Sequence, residues 1–159
     1  MALDAEQQMT GQSTLRRTVI AMGNVVLVSC TSKKLDRKAK AEDLYISPLF
    51  CYQLAYARTL EPDAIYILSA KHGLIGLTDT VEPYDLTLNE MKSAEVKQWA
   101  EMVLGQLRAE ANLETDHFVL LAGANYRKFL IPHMASYDVP LEGLGIGKQL
   151  QQLKTWLDE

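Results

Sequence analysis

The chain predicts an α/β fold, a three-layer sandwich in which helices cover both faces of a central, mostly parallel four-stranded sheet. Three observations carry that prediction. Val25-Val26-Leu27-Val28, Ala64-Ile65-Tyr66-Ile67-Leu68 and Phe118-Val119-Leu120-Leu121-Ala122 are continuous apolar runs of strand length, the pattern of strands buried on both faces. Helical stretches stand between them. Strand and helix in alternation build a parallel sheet, because each parallel pair needs a crossover connection. With 159 residues, 48% of them apolar, the chain can bury one full core, so we expect a single domain over residues 18–159. Met1 to Arg17 is polar and without a clear period, and reads as a flexible N-terminal tail.

The elements follow in order. After the first strand, Lys33, Lys34, Arg37, Lys38 and Lys40 face only Asp36 and Glu42 in a basic run. Such a run is either a solvated loop or a phosphate-facing lip beside the strand exit. Ser47-Pro48 starts a helix, with Ser as cap and Pro in the first turn, and Leu49, Phe50, Leu54, Ala57 and Leu60 follow at near-helical spacing. The second strand begins after Pro62. From Gly73 to Met91 the chain reads as a long connection, which a compact domain rarely carries without a purpose. A helix opens at Ser93, and its Val96, Trp99, Ala100, Val103, Leu104 and Leu107 form one apolar stripe, so Trp99 reads as core. The third strand ends at Gly123, and Asn125 to Met134 reads as a short helix limited by Pro132. Tyr137 to Leu141 is a short fourth strand, and glycines 143, 145 and 147 lead into a terminal helix from Lys148 to Leu157.

Composition bounds the function. A formal net charge of −4 argues against a protein that holds nucleic acid through a broad basic surface, though a local basic groove is compatible with it. Two cysteines are too few for a disulfide scaffold, the N-terminus lacks the signature of a signal peptide, and no apolar run is long enough to span a membrane. We therefore expect a cytoplasmic location and no membrane partner; the oligomeric state is not written in the sequence.

Two strand exits carry chemistry. The first is Ser29-Cys30-Thr31-Ser32-Lys33-Lys34; the second is Ser69-Ala70-Lys71-His72-Gly73, followed by Glu82-Pro83-Tyr84-Asp85. In open α/β sheets ligands bind outside the carboxyl ends of strands, so the two exits predict one cleft. Asp85 is the candidate that activates water or stabilises a developing cation, its ordinary alternative being a turn-forming Asp. Cys30 near Lys33 and Lys34 raises the question of a nucleophile, but Arg37 stands one position too far for a phosphatase-type loop, and a buried Cys commonly serves as a small hydrophobe. His72, His117 and His133 pair with neither cysteine at ligand spacing, so no metal and no cofactor is expected. The glycine run before Lys148 fits neither the dinucleotide fingerprint nor the P-loop.

The strings Leu27-Val28-Ser29-Cys30-Thr31-Ser32-Lys33-Lys34, Tyr45-Ile46-Ser47-Pro48-Leu49-Phe50, Leu68 to Leu74, Glu82 to Leu86 and Pro140 to Gly147 resemble a bacterial and phage family of small uncharacterised domains. More distantly, the frame of residues 68 to 85 is similar to the peroxide-stress YaaA family of DNA-binding proteins, and both look related to the uracil-DNA-glycosylase-like fold. The resemblance implies a protein that handles a nucleobase: a DNA glycosylase that removes a modified base, such as hypermodified cytosine of phage DNA, as an antiviral defence. DNA is the implied partner. The chain departs from the uracil-DNA-glycosylase pattern in lacking a carboxylate after the first strand, which leaves Asp85 as the substitute. On this reading a base is flipped out of the duplex into the cleft. Asp85, His72 and Lys71 act on the glycosidic bond, and Tyr84 or Tyr45 stacks on the base. Ser29, Cys30, Ser32, Lys33, Lys34, Tyr126 and Arg127 are left to hold phosphates or the base edge. Two alternatives stay open: a DNA-binding stress protein without catalysis, and a hydrolase or transferase acting on a free nucleotide.

Overall fold

The structure, a computed structural model, describes residues 23–159. The tail expected at residues 1–17 lies outside the described residues. The sheet has five strands in the order β4-β3-β1-β6-β7, formed by β1 (Asn24–Ser29), β3 (Ala64–Ser69), β4 (Gly73–Gly76), β6 (His117–Leu121) and β7 (Ser136–Asp138). Strand β1 lies in the middle, parallel to β3 and β6, with Val26 level with Ile65 on one side and Val119 on the other. Val25, Val26, Leu27 and Val28 are all buried, so both faces of this strand are covered, as its unbroken apolar run requires. A small antiparallel pair joins β2 (Ala39–Lys40) to β5 (Thr80–Val81).

The helices are α1 (Ala41–Leu44), α2 (Pro48–Thr59), α3 (Ser93–Glu110), α4 (Ala124–Arg127) and α5 (Ile146–Leu157). Helix α2 starts where the Ser47-Pro48 signal put it, with Ser47 Oγ accepting the Phe50 N–H at 3.2 Å. Its partner on the same side of the molecule is α5, and Tyr56 stacks on Trp156 between them at 4.7 Å. The full apolar stripe of α3 is buried, and the Trp99 indole N–H donates to the Ser69 carbonyl at 2.9 Å.

Three expectations need correction. The sheet has five strands, not four: Gly73-Leu74-Ile75-Gly76, read as loop because it is short and flanked by glycines, turns back as an antiparallel edge strand on β3. The helix expected over residues 125–134 is the single turn α4 followed by a 3-10 turn at Ile131–His133, because Pro132 supplies no N–H and crowds the preceding turn. The last strand is Ser136–Asp138 and stops short of Pro140, which has no ladder donor.

The hairpin from β3 to β4 is held by α3. Gln106 accepts the Leu74 N–H at 2.8 Å and donates to the His72 carbonyl at 3.2 Å. Gly73 sits at φ +76°, in the left-handed region, and a Cβ there would collide with Gln106 Oε1 and with Met102 Cε. Gly73→Ala therefore destabilises the fold by about 2 kcal/mol. Gly123→Ala, at φ −66° with open space around it, changes stability little. Urea unfolding of the two variants checks this, and equal midpoints would contradict it.

Candidate functional site at the strand exits

The order of the sheet locates the site. From β1 the chain crosses to β3 on one side, and after α3 it returns to β6 on the other, so connections leave β1 and β6 in opposite directions. That reversal opens a crevice at the carboxyl ends of the two strands. A cleft of about 540 Å³ occupies it. Ser29, Cys30, Thr31 and Ser32 from the β1 exit line it, with Gly123 and Tyr126 after β6, Leu86, Thr87, Asn89 and Glu90 from the preceding connection, Leu49 and Gln53 of α2, and Ile146 and Gln149 of α5.

The connection from Glu82 to Glu90 is tied down by hydroxyls. Tyr84 Oη lies 2.6 Å from Tyr45 Oη and 2.7 Å from Ser69 Oγ, and Ser69 Oγ also accepts the His72 N–H at 3.0 Å. Ser69 is wholly buried at the end of β3, so this small polar group fixes both the hairpin turn and the connection over it. Farther along, Tyr126 Oη accepts the Leu88 N–H at 3.3 Å, lies 3.4 Å from Thr87 Oγ1, and receives the Cys30 thiol at 3.6 Å. Burial is the largest cause raising the Tyr45 and Tyr126 phenols to about 12 and holding Tyr84 well above its ordinary value. All three remain protonated near neutral pH.

A cationic rim stands beside the cleft. Lys34 Nζ lies over the Tyr84 ring at 4.4 Å from its centroid and donates to the Ser32 carbonyl at 3.3 Å. Burial lowers the Lys34 pKa, while Cys30 and Asp85 act in the opposite sense. The His72 ring meets the edge of Tyr84 at 5.6 Å; burial, and then the Lys71 ammonium, hold its pKa below the ordinary 6.5, so it is neutral at pH 7.

The expected site residues divide into four groups. Ser29, Cys30, Ser32 and Tyr126 line the cleft. Lys34 and His72 each adjoin Tyr84 at the rim, with Asp85 electrostatically linked to Lys34 and Lys71 to His72. Lys33 is exposed and outside the cleft lining. Tyr45 and Arg127 are committed to the fold: Tyr45 is buried against Phe50 and has no free ring face, and Arg127 donates to the Ala122 carbonyl at 2.7 Å with Glu142 at 3.9 Å. The carboxylate that lines the cleft is Glu90; Asp85 is one residue before the lining begins at Leu86. Among the described residues no group of three His, Cys, Asp or Glu stands close enough to hold a metal ion.

Sequence reasoning missed Gln53. It follows Phe50 by three residues and precedes Ala57 by four, so a polar amide sits on the buried stripe of α2, and that misfit was the available signal. Gln53 is 3% exposed, and its Oε1 has no hydrogen-bond partner among the described residues. An acceptor left so costs about 1–3 kcal/mol.

Tyr84→Phe removes both bonds of the central hydroxyl and destabilises the protein by about 2 kcal/mol. Because Tyr45→Phe breaks one of the same bonds, the double variant is less destabilised than the sum of the singles, by about 1 kcal/mol. Denaturant unfolding of the four proteins completes the cycle; strict additivity would show that the two hydroxyls do not interact.

No curated protein and no solved structure matches the chain. Residues 25–155, almost the whole described region, match a family of protein domains, and the chain belongs to that family, the family of unknown function DUF6884.

Proposed function

We propose that the protein is a DNA glycosylase, which receives a modified base in the cleft and hydrolyses its bond to deoxyribose. The carrying observation is the cleft itself, set at the reversal point of the sheet and walled by the same connection that bears Asp85 and Glu90. Its lining of hydroxyls, amides and short apolar side chains suits a flat heterocycle, and its volume suits one nucleoside. Lys34 at the rim supplies a positive group where the phosphates of an extruded nucleotide would lie, so an acidic chain needs no broad basic surface. The resemblance of residues 68 to 85 to DNA-handling families points the same way.

In this mechanism the C1′–N bond breaks as positive charge develops on the sugar, and water attacks C1′. Asp85 stabilises that charge or takes the proton of the water. The base departs with the bonding electrons, and Lys71 or neutral His72 places an N–H against it. Asp85→Asn lowers base release by roughly 10²–10⁴-fold. The check is incubation with unmodified DNA and with phage DNA carrying hypermodified cytosine or thymine, followed by mass spectrometry of the released bases and counting of abasic sites. Full activity in Asp85→Asn with loss in Glu90→Gln would move the role to the cleft carboxylate. Release from no DNA would overturn the reading.

The net charge of −4 favours a second reading, a hydrolase acting on a free nucleotide, for which no duplex has to be held. Glycosidic cleavage of nucleoside monophosphates without cleavage of DNA would select it.

A further inference from the structure

We propose that Gln53 is the residue that selects the ligand, by accepting an N–H from the edge of the bound heterocycle. The inference rests on the proposed binding of a nucleobase in the cleft and adds the edge by which that base is read.

The argument turns on which buried polar atom of the cleft lacks a partner; Ser32 and Glu90, also in the lining, are exposed. Thr31 Oγ1 already accepts the Ser47 hydroxyl at 2.9 Å, and Asn89 Oδ1 accepts the Asn125 amide at 2.8 Å. Gln149 is turned away to the Leu144 carbonyl at 2.8 Å, and Tyr126 Oη is occupied by the Leu88 N–H, Thr87 and the Cys30 thiol. Gln53 is different: it lines the cleft, is almost completely buried, and its Oε1 is the one side-chain oxygen or nitrogen so buried that has no partner among the described residues. Buried polar groups in folded proteins are nearly always paired, so an orphan oxygen, closed off from solvent on a residue that lines a cleft, marks a place where a ligand completes the pairing once the amide turns into that space.

The chemistry of the amide names the ligand. A carboxamide holds an acceptor and a donor side by side in one plane, which is complementary to a nucleobase edge carrying an N–H next to a ring nitrogen or carbonyl. The terminal torsion of Gln is soft, so the amide turns to meet that edge while the rest of the side chain stays in place. The N-cap at Ser47 and the packing of α2 against β1 and α5 fix the stem. A base whose N–H is replaced by N-methyl leaves the acceptor orphaned and adds a clash, and such mismatches are discriminated strongly because a buried polar group stays unpaired.

The test uses full-length protein and four probes in two pairs: uracil with 3-methyluracil, and adenine with N6,N6-dimethyladenine. Titration calorimetry on the wild type is expected to show at least tenfold tighter binding of the N–H member of one pair. In Gln53→Met, of similar shape without the amide, that preference falls to within about twofold, and the thermal midpoint stays at or above that of the wild type, because an orphan polar group has been removed. A Gln with a merely structural role would give the opposite stability result, a clear fall in midpoint, and that would overturn the proposal. So would equal binding of both members of each pair to the wild type, or binding of none of the four. The two proposals fail separately: discrimination lost in Gln53→Met with no base released from any DNA leaves Gln53 assigned and removes the glycosylase, whereas base release with selectivity unchanged in Gln53→Met removes only Gln53.

Discussion

The pairing of the Tyr84 hydroxyl with Ser69 is the interaction on which the site depends. Ser69 ends β3 wholly buried, and a hydroxyl there must be satisfied within the protein. It is satisfied by Tyr84, which in turn holds Tyr45, and by the His72 N–H of the hairpin turn, while the Ser69 carbonyl takes the Trp99 indole from α3. One serine thus joins a central strand, its hairpin, the longest helix and the connection that carries Asp85. Without that tie, the stretch around Tyr84 would lose its anchor to β3, and the connection would be held from the Tyr126 side alone, through Thr87 and Leu88.

The site has two parts of different character. The cleft is a largely neutral space of hydroxyls, amides and aliphatic side chains, with Glu90 as its carboxylate. The rim beside it is cationic and aromatic, and there Lys34 rests on Tyr84, its pKa lowered by burial against the smaller opposing effects of Cys30 and then Asp85. A neutral compartment next to a charged one is the arrangement expected for a ligand with a flat, weakly polar head and an anionic tail, and the proposed nucleotide ligand would need no broad basic surface on a chain of net charge −4. The tyrosines of the network act as donors and packing surface, because burial keeps their phenols protonated.

Much of this was legible in the sequence, and for physical reasons. The three long strands announce themselves because burial on both faces demands unbroken apolar runs, and α2 and α3 because a Ser-Pro cap and an apolar stripe each have a mechanism. The polar exits of β1 and β3 predicted one cleft between them; the cleft is instead lined from the exits of β1 and β6, and Ser69 to Gly73 lie outside its lining, because the sheet order sets β6 beside β1 at the reversal point. What escaped was whatever depends on contacts distant in sequence. Strand β4 exists because β3 and Gln106 receive it, not because Gly73-Leu74-Ile75-Gly76 favours extension. Tyr45 and Arg127 looked like ligand-facing groups, and only the packing shows the first enclosed by Phe50 and Tyr84 and the second held by the Ala122 carbonyl. Gln53 was hidden for the converse reason, since one amide on an apolar helix stripe is a weak local signal until the cleft beside it is seen.

The central claim is that the reversal point between β1 and β6 is where a nucleobase binds. Amide chemical-shift mapping of isotopically labelled protein, titrated with the four deoxynucleoside 5′-monophosphates, tests it most directly. The account predicts saturable shifts concentrated at Thr31, Ser32, Thr87, Asn89 and Gly123 and at the Gln53 side-chain amide. Shifts gathered instead around Tyr66, Gln106 and Glu110 at the far edge of the sheet, or no saturable shifts with any of the four, would contradict it.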